Sequence, residues 1–444
     1  MSQSSMITSR EQIKSDPFLL KILQQRSSVP KEKLDSETST WLENLREQSA
    51  SWVSRLKFPS KKDEEWRFTD LSSLLDLDFT AAKSGTVESD TIDLIPEATE
   101  SRIVFVNGLY APELSNTSGL PKGIYVGNLT NLPEAYCKYF RPYLGTQAGA
   151  EEVFTSLNTA SITDVAIIWA APNTVVEQPI HLLFISVTED SISFSQPRSW
   201  IVAEKNCSLN IIEEYTGQSS YLTNAVTEIW LGENAQINHT RFQTESETAY
   251  HIGKTAVSQA RASRYTLTEF NFGGKISRHN PEISQQGEQT ETYLNGLTVA
   301  NGEQTADTHS IIALSKPHGT TNQLHKCLVS DRAHTIFNGK VFVPKAAQLT
   351  NAAQLNRNLL LSPKARVDTK PELRITADNV KCSHGATVSQ LEAEEIFYLR
   401  SRGLTEDNAR QLLINGFTAE IIERISLKSL STKIATIVAK KTSS

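Results

Sequence analysis

The chain has 444 residues, 21% of them charged, and a formal net charge of -6 at pH 7. That length exceeds what one compact core fills, so two or three structural units are expected. The acidic balance excludes a general nucleic-acid footprint, and no run of about 18 apolar residues offers a membrane-spanning helix. Residues Met1 to Lys14 are polar and lack the apolar core of a secretion signal, and Glu11 and Asp16 argue against a simple transit peptide. Cys137, Cys207, Cys327 and Cys382 form no CxxC pair. They read as free thiols of a reducing, cytoplasmic compartment.

Residues 1–100 read as mainly helical. Asp16-Pro17 is an N-cap followed by proline at the first helical position, and Phe18, Leu19, Ile22 and Leu23 supply an apolar face. Trp41, Leu45, Trp52 and Leu56 fall on one face of a longer helix that Pro59 ends. The charged stretch from Phe58 to Asp70, with Trp66 and Phe68, reads as a surface loop docking on a core.

Residues 101–388 change character. Short β-rich runs such as Arg102–Val106, His181–Val187, Trp200–Ala203 and Ser208–Ile212 are separated by turn residues, and helical periodicity fades after about residue 155. The segments beginning at Trp200 and Trp230 resemble each other: a small residue (Cys207, Ala235) precedes a polar and then an apolar one. The same order recurs at Ala347–Thr350 and Ala365–Asp368. Repeated strands and corners point to a β-solenoid; the uneven spacing leaves a pair of β-sandwiches as the alternative.

Residues 389–444 are helical again. Ser389-Gln-Leu-Glu392 fits a capping box before a helix that Gly403 ends. Thr405 caps a helix from Glu406 to Asn415 that stops at Gly416, and Thr418 caps a third, bearing Ile421, Ile422 and Ile425. Phe397, Tyr398 and Leu399 are consecutive and bulky, so they cannot all face one core. At least one is expected to meet a partner, with Arg400 and Arg402 as rim charges.

Catalytic motifs are absent. Lys275 and Lys340 follow glycine, but Ile276 and Val341 come next, so no nucleotide phosphate cradle exists. The sequence has no G-x-G-x-x-G, H-E-x-x-H or G-x-S-x-G. No catalytic residue is assigned, no nucleotide is expected on this chain, and it is not read as an enzyme. A β-solenoid carbohydrate-active enzyme would need an acidic calcium cleft and a secretion signal, and neither is visible.

Histidine is the positive signal. His279, His309, His318, His325, His334 and His384 cluster in the last third. His279, His309, His318 and His334 read as turn residues, solvated or bonded to carbonyls, although coils of a solenoid could bring such groups together. Cys327, Cys137 and Cys207 read as packed thiols. Cys382 and His384 stand apart. On a strand they share one face, about 6.6 Å apart, and both ligate soft or borderline metals. A four-coordinate site needs about two more ligands, so the pair is half a site and a partner chain is the first candidate for the rest. Gly385 follows, allowing another backbone to approach.

Lys381-Cys-Ser-His-Gly-Ala-Thr-Val388, followed by Phe397-Tyr-Leu-Arg-Ser-Arg-Gly403, closely resembles the C-terminal signature of the SufD branch of the SufB/SufD family, which serves the SUF iron–sulfur cluster assembly system. The stretch Pro59-Ser-Lys-Lys-Asp-Glu-Glu-Trp-Arg-Phe-Thr-Asp70 is similar to that family's N-terminal motif. The resemblance implies a right-handed parallel β-helix with helical flanks, and a scaffold complex with a SufB-like paralogue and two copies of a SufC-like ATPase. It implies that His384, with Cys382 beside it, borders a transient cluster shared with the paralogue. It also implies that the C-terminal helices, with Phe397, Tyr398, Leu399, Arg400 and Arg402, grip the ATPase. Isolated chains could form homodimers through open sheet edges. A purely structural solenoid, in which Cys382 and His384 only pack its end, stays open as the other reading.

Overall fold

The computed structural model describes residues 15–27, 34–88, 92–188 and 192–442; the expectation about the first 14 residues lies outside them. Two walls of strands dominate, one of eleven strands and one of ten. The chain alternates between them. Ser208–Gly217 lies in one wall and Tyr221–Leu231 in the other, and the next coil repeats this with Gln236–Gln243 and Tyr250–Gln259. Successive strands of a wall are parallel and in register, so Asn210, Asn238 and Thr266 stack. This is a parallel β-solenoid, not a pair of sandwiches.

The corners explain the repeat seen in sequence. Asn206 and Asn234 both take positive φ, 61° and 58°. Asparagine tolerates this left-handed conformation better than most residues. The side chains stack as well: Asn234 Nδ2 donates to Asn206 Oδ1 at 3.0 Å, and Asn206 Nδ2 to Asn173 Oδ1 at 2.8 Å. The small residue after each, Cys207 or Ala235, turns into the apolar interior. Ala262, Gln289, His318 and Leu349 hold the same positive φ in later coils. The backbone repeat therefore continues after its asparagine signature has gone, which is why the sequence spacing looks uneven.

One end of the solenoid is closed. Ile124–Asn128 pairs antiparallel with Ala166–Ala170, and the helices Glu134–Phe140 and Val153–Ala160 lie nearby. Phe140 packs edge-on against the buried Trp200, with ring centroids 5.1 Å apart. The helix Ser36–Val53 is joined to this end by Arg46, whose Nε donates to the Ala160 carbonyl at 3.1 Å. The helix Pro17–Gln24 begins as its sequence implies: Asp16 accepts from the backbone of Phe18 and Leu19, and Pro17 occupies the first turn.

The charged segment around Trp66 docks on the outer face of the eleven-stranded wall. Glu65 pairs with His309 at 2.5 Å and also with Lys340. The hydrogen bond from His309 is the main force that brings the Glu65 carboxyl down to about 2, against its partial burial and with help from Lys340. The Arg278 guanidinium lies 3.8 Å from the Trp66 ring centroid, and Thr69 donates to Asp307 at 2.6 Å. A cavity of about 510 Å³ lies beneath the segment, bordered by Trp66, Phe154, Lys254 and Glu282.

The C-terminal region corrects three expectations. Ser389 caps no helix: it belongs to the last strand, Lys381–Gln390, and the next helix, Ala393–Ser401, starts after Glu392 without a side-chain cap. The second and third expected helices are one, Glu406–Ile422, which runs through Gly416. Thr418 is buried inside it, and its hydroxyl donates to the Ile414 carbonyl at 3.1 Å. Burial of Ile414 and Ile421 against the ten-stranded wall outweighs the cost of an internal glycine, about 1 kcal/mol. Ile425 follows this helix instead of lying within a third one, and a further helix spans Lys428–Thr442. Both long helices cover Phe242, Phe270, Phe272 and Leu297 of that wall. Gly403 does end the helix before them, at φ 95°, and Thr405 caps the next.

Candidate functional site

The other end of the solenoid is open. Its last two strands, Arg366–Ile375 and Lys381–Gln390, are the terminal members of their walls. Each therefore has one edge without a strand partner. Burial collapses here: residues that would face the interior in an earlier coil stand half-buried or exposed. Val388 is 51% exposed and Ile375 38%.

Cys382 and His384 lie on this last strand, opposite Ala352 and Gln354 of the strand Asn351–Leu360. Ala352 belongs to the interior core and Cys382 packs against it. Both sequence-singled residues thus occupy interior-facing positions of a coil with nothing stacked beyond it. Cys382 is half-buried and His384 exposed. Burial raises the Cys382 thiol above its ordinary value, which disfavours the nucleophilic thiolate in the isolated chain. Among the described residues no group of three His, Cys, Asp or Glu is arranged to hold a metal ion.

The helix Ala393–Ser401 follows directly and buries none of its residues. Phe397 is 74% exposed and Tyr398 58%. Leu399 is half-buried, and Arg400 and Arg402 are exposed. Arg400 pairs with Glu406 at 3.2 Å, and the Arg402 guanidinium lies 5.4 Å from the Tyr398 ring centroid. The aromatic pair is therefore presented outward.

Three of the four histidines read as turn residues sit differently. His279, His309 and His334 are on strands, and each meets a carboxylate: Glu269 at 2.5 Å, Glu65 at 2.5 Å and Asp368 at 2.7 Å. His325 is also buried and lies 3.6 Å from Glu269. Only His318 keeps the expected place, exposed at a corner. Cys137, Cys207 and Cys327 are buried as expected, and burial pushes the Cys327 thiol up to about 12.

The convergence of His279 and His325 on Glu269 is part of a polar line inside the solenoid that sequence reasoning missed. His239 meets Glu213 at 3.0 Å, His251 meets Glu245 at 2.7 Å, and Arg241 reaches His251 at 2.6 Å. The available signal was glycine inside strands. A Cβ on Gly253 would lie 2.8 Å from His251 Nε2 and 2.9 Å from an Arg241 nitrogen; one on Gly296 would lie 2.1 Å from His325 Nδ1. Burial raises Glu269 and lowers His279 and His325.

Glu213 behaves oppositely. Burial alone would raise it, but the hydrogen bond and charge of His239, the charge of Arg241 and the Thr227 hydroxyl bring it to about 2. Its ordinary value is 4.5. A carboxyl depressed on folding contributes stability above its unfolded value and loses it as pH falls toward the folded one. Thermal stability is expected to drop between about pH 4.5 and pH 2, and Glu213→Gln to flatten that drop. Melting curves across this range check it; an unchanged acid limb in the variant contradicts it.

The chain is thus a parallel β-solenoid with helical flanks and an open last coil that bears a thiol and an imidazole. The sequence matches the family description "SUF system FeS cluster assembly, SufBD core domain" over residues 184–417 and "SufBD protein N-terminal region" over residues 24–182. The chain belongs to the SufBD family of the SUF system, which acts in iron–sulfur cluster assembly. Among its relatives is an iron–sulfur cluster assembly SufBD family protein of Synechocystis, 49% identical over 90% of this chain and 91% of the relative. The chloroplastic protein ABCI7 of Arabidopsis thaliana is 36% identical over 92% and 88%. The iron–sulfur cluster assembly protein SufD of Escherichia coli is 30% identical over 87% and 90%.

Proposed function

We propose that this chain is the SufD-type scaffold subunit of a complex with a SufB-like paralogue and a SufC-like ATPase. Nascent iron–sulfur cluster is its cargo, formed where the two solenoids meet. The observation that carries this reading is the open coil: His384 and Cys382 occupy interior-facing positions with no coil beyond them. A second parallel solenoid offers the unpaired edges of the last strands a matching partner and buries Val388 and Ile375. It also supplies the ligands that a pair of donors lacks. His384 is the stronger donor because it is exposed; Cys382 lies against Ala352, and burial raises its thiol above its ordinary value.

The ATPase contact falls to the helix Ala393–Ser401. It is the part of the C-terminal region that buries nothing, whereas the two helices after it are committed to the ten-stranded wall. ATP turnover then belongs to the partner, since this chain has no phosphate cradle. The experiment is co-expression of the three chains, anaerobic purification, and assay of bound iron and acid-labile sulfide. The reading expects a stable complex that carries cluster, and this chain alone hydrolysing no ATP. Failure of the paralogue to co-purify, or cluster yield independent of this chain, overturns it.

A further inference from the structure

One coil inside the open end lies a group that no motif announces. Gln354 stands opposite His384 on the neighbouring parallel strand, one strand spacing of about 4.8 Å away. It is buried, and its amide is fixed from behind. Nε2 donates to Gln323 Oε1 at 2.8 Å, and Gln323 Nε2 donates to Ser310 Oγ on the facing wall at 2.8 Å. The space for this amide is made by Gly339, also on the facing wall, where a Cβ would lie 2.1 Å from Gln354 Nε2. The other end of the amide, Gln354 Oε1, is buried and has no hydrogen-bond partner. A buried carbonyl left unsatisfied costs about 1–3 kcal/mol. The next side chain outward in register is the imidazole of His384, which in the isolated chain is exposed to water.

We infer that Gln354 is the positioning residue for His384. When the paralogue closes the end, one ring N–H of His384 donates to Gln354 Oε1, and the other ring nitrogen turns its lone pair toward the interface. A ligating histidine needs such an outer partner to fix its tautomer and ring plane. A neutral amide suits the task, because it orients the imidazole without adding charge next to the incoming iron. The chain Ser310, Gln323, Gln354 contains no titratable group, in contrast to the Glu269 trio deeper inside. The inference rests on the proposed role of His384 and adds the residue that aims it.

The test uses the three-chain complex, freed of cluster, and titrates it anaerobically with Fe(II). Removing an outer-shell partner is expected to weaken metal binding by about 10–100-fold. Gln354→Met, similar in size but without an acceptor, is expected to show that loss with subunit assembly and melting temperature unchanged. Gln354→Glu keeps an acceptor but loses the donor to Gln323 and adds charge, so it is expected to bind Fe(II) more tightly than Gln354→Met and more weakly than wild type. Should Gln354→Met fail to fold, Gln323→Met decides: it frees the amide to rotate and is expected to weaken Fe(II) in the same direction by a smaller factor. If His384→Ala weakens Fe(II) binding while Gln354→Met and Gln323→Met do not, a water serves the imidazole and the positioning inference falls alone. If His384→Ala itself leaves Fe(II) binding unchanged, the underlying reading of His384 falls with it.

Discussion

Replacing Arg198 with Met is expected to destabilise the chain by about 3–5 kcal/mol, the scale of breaking a buried ion pair from one side. Arg198 and Glu228 meet at 2.6 Å with side chains 1% and 2% exposed. Arg198 also donates to Asn158 and Thr159, tying the helix Val153–Ala160 to the eleven-stranded wall. Glu228 in turn accepts from the backbone of Gly145. The single substitution leaves the buried carboxylate without its counter-charge. Removing both charges with Arg198→Met and Glu228→Leu is expected to recover much of the loss, because an uncompensated charge costs more than an absent pair. Urea unfolding followed by circular dichroism measures this. A midpoint unchanged in the Arg198 variant contradicts the account of how the closed end is held.

The second large effect concerns the partner surface. Phe397→Ser with Tyr398→Ser is expected to weaken ATPase docking by about three orders of magnitude, taking each exposed aromatic as an anchor worth about 2 kcal/mol. The melting temperature is expected to stay within a degree or so of wild type, because the helix buries none of its residues. Titration of the purified ATPase onto wild-type and variant chains checks both. Undiminished affinity sends the contact elsewhere. Truncation at residue 389 is a poorer test, since it also strips Ile414, Ile421, Leu430 and Ile434 from the ten-stranded wall. Loss of binding there would reflect an exposed apolar face as much as a missing contact.

Local signals in the sequence survived where local chemistry decides the outcome. Asp16-Pro17 starts a helix because a carboxylate and a fixed φ act within one turn. Cys207 and Ala235 mark corners because a small side chain must follow a left-handed residue. Phe397 to Leu399 were legible because three adjacent side chains cannot share a face. The failures have a common cause. Ser389 and Thr418 have the chemistry of caps, but strand pairing takes the first and burial on a sheet takes the second. His279 looked like a turn residue, and its meeting with His325 at Glu269 was invisible, because these groups come close only through the coil register. Gln354 was invisible for the same reason: its relation to His384 is one coil long and carries no motif. The shared strand face of Cys382 and His384 was legible from strand parity, and their place at the open end could come only from the fold.

The central claim is that the open coil contributes an iron ligand to a shared site. The measurement that tests it most directly is bound iron and acid-labile sulfide on the three-chain complex carrying His384→Ala, beside wild type and Cys382→Ser. The account expects all three complexes to assemble alike, since the imidazole makes no bond within the fold that assembly requires. It expects cluster content to fall at least about tenfold with His384→Ala and clearly less with Cys382→Ser. A His384→Ala complex that assembles normally and carries wild-type iron and sulfide would contradict it, leaving the last coil as packing alone.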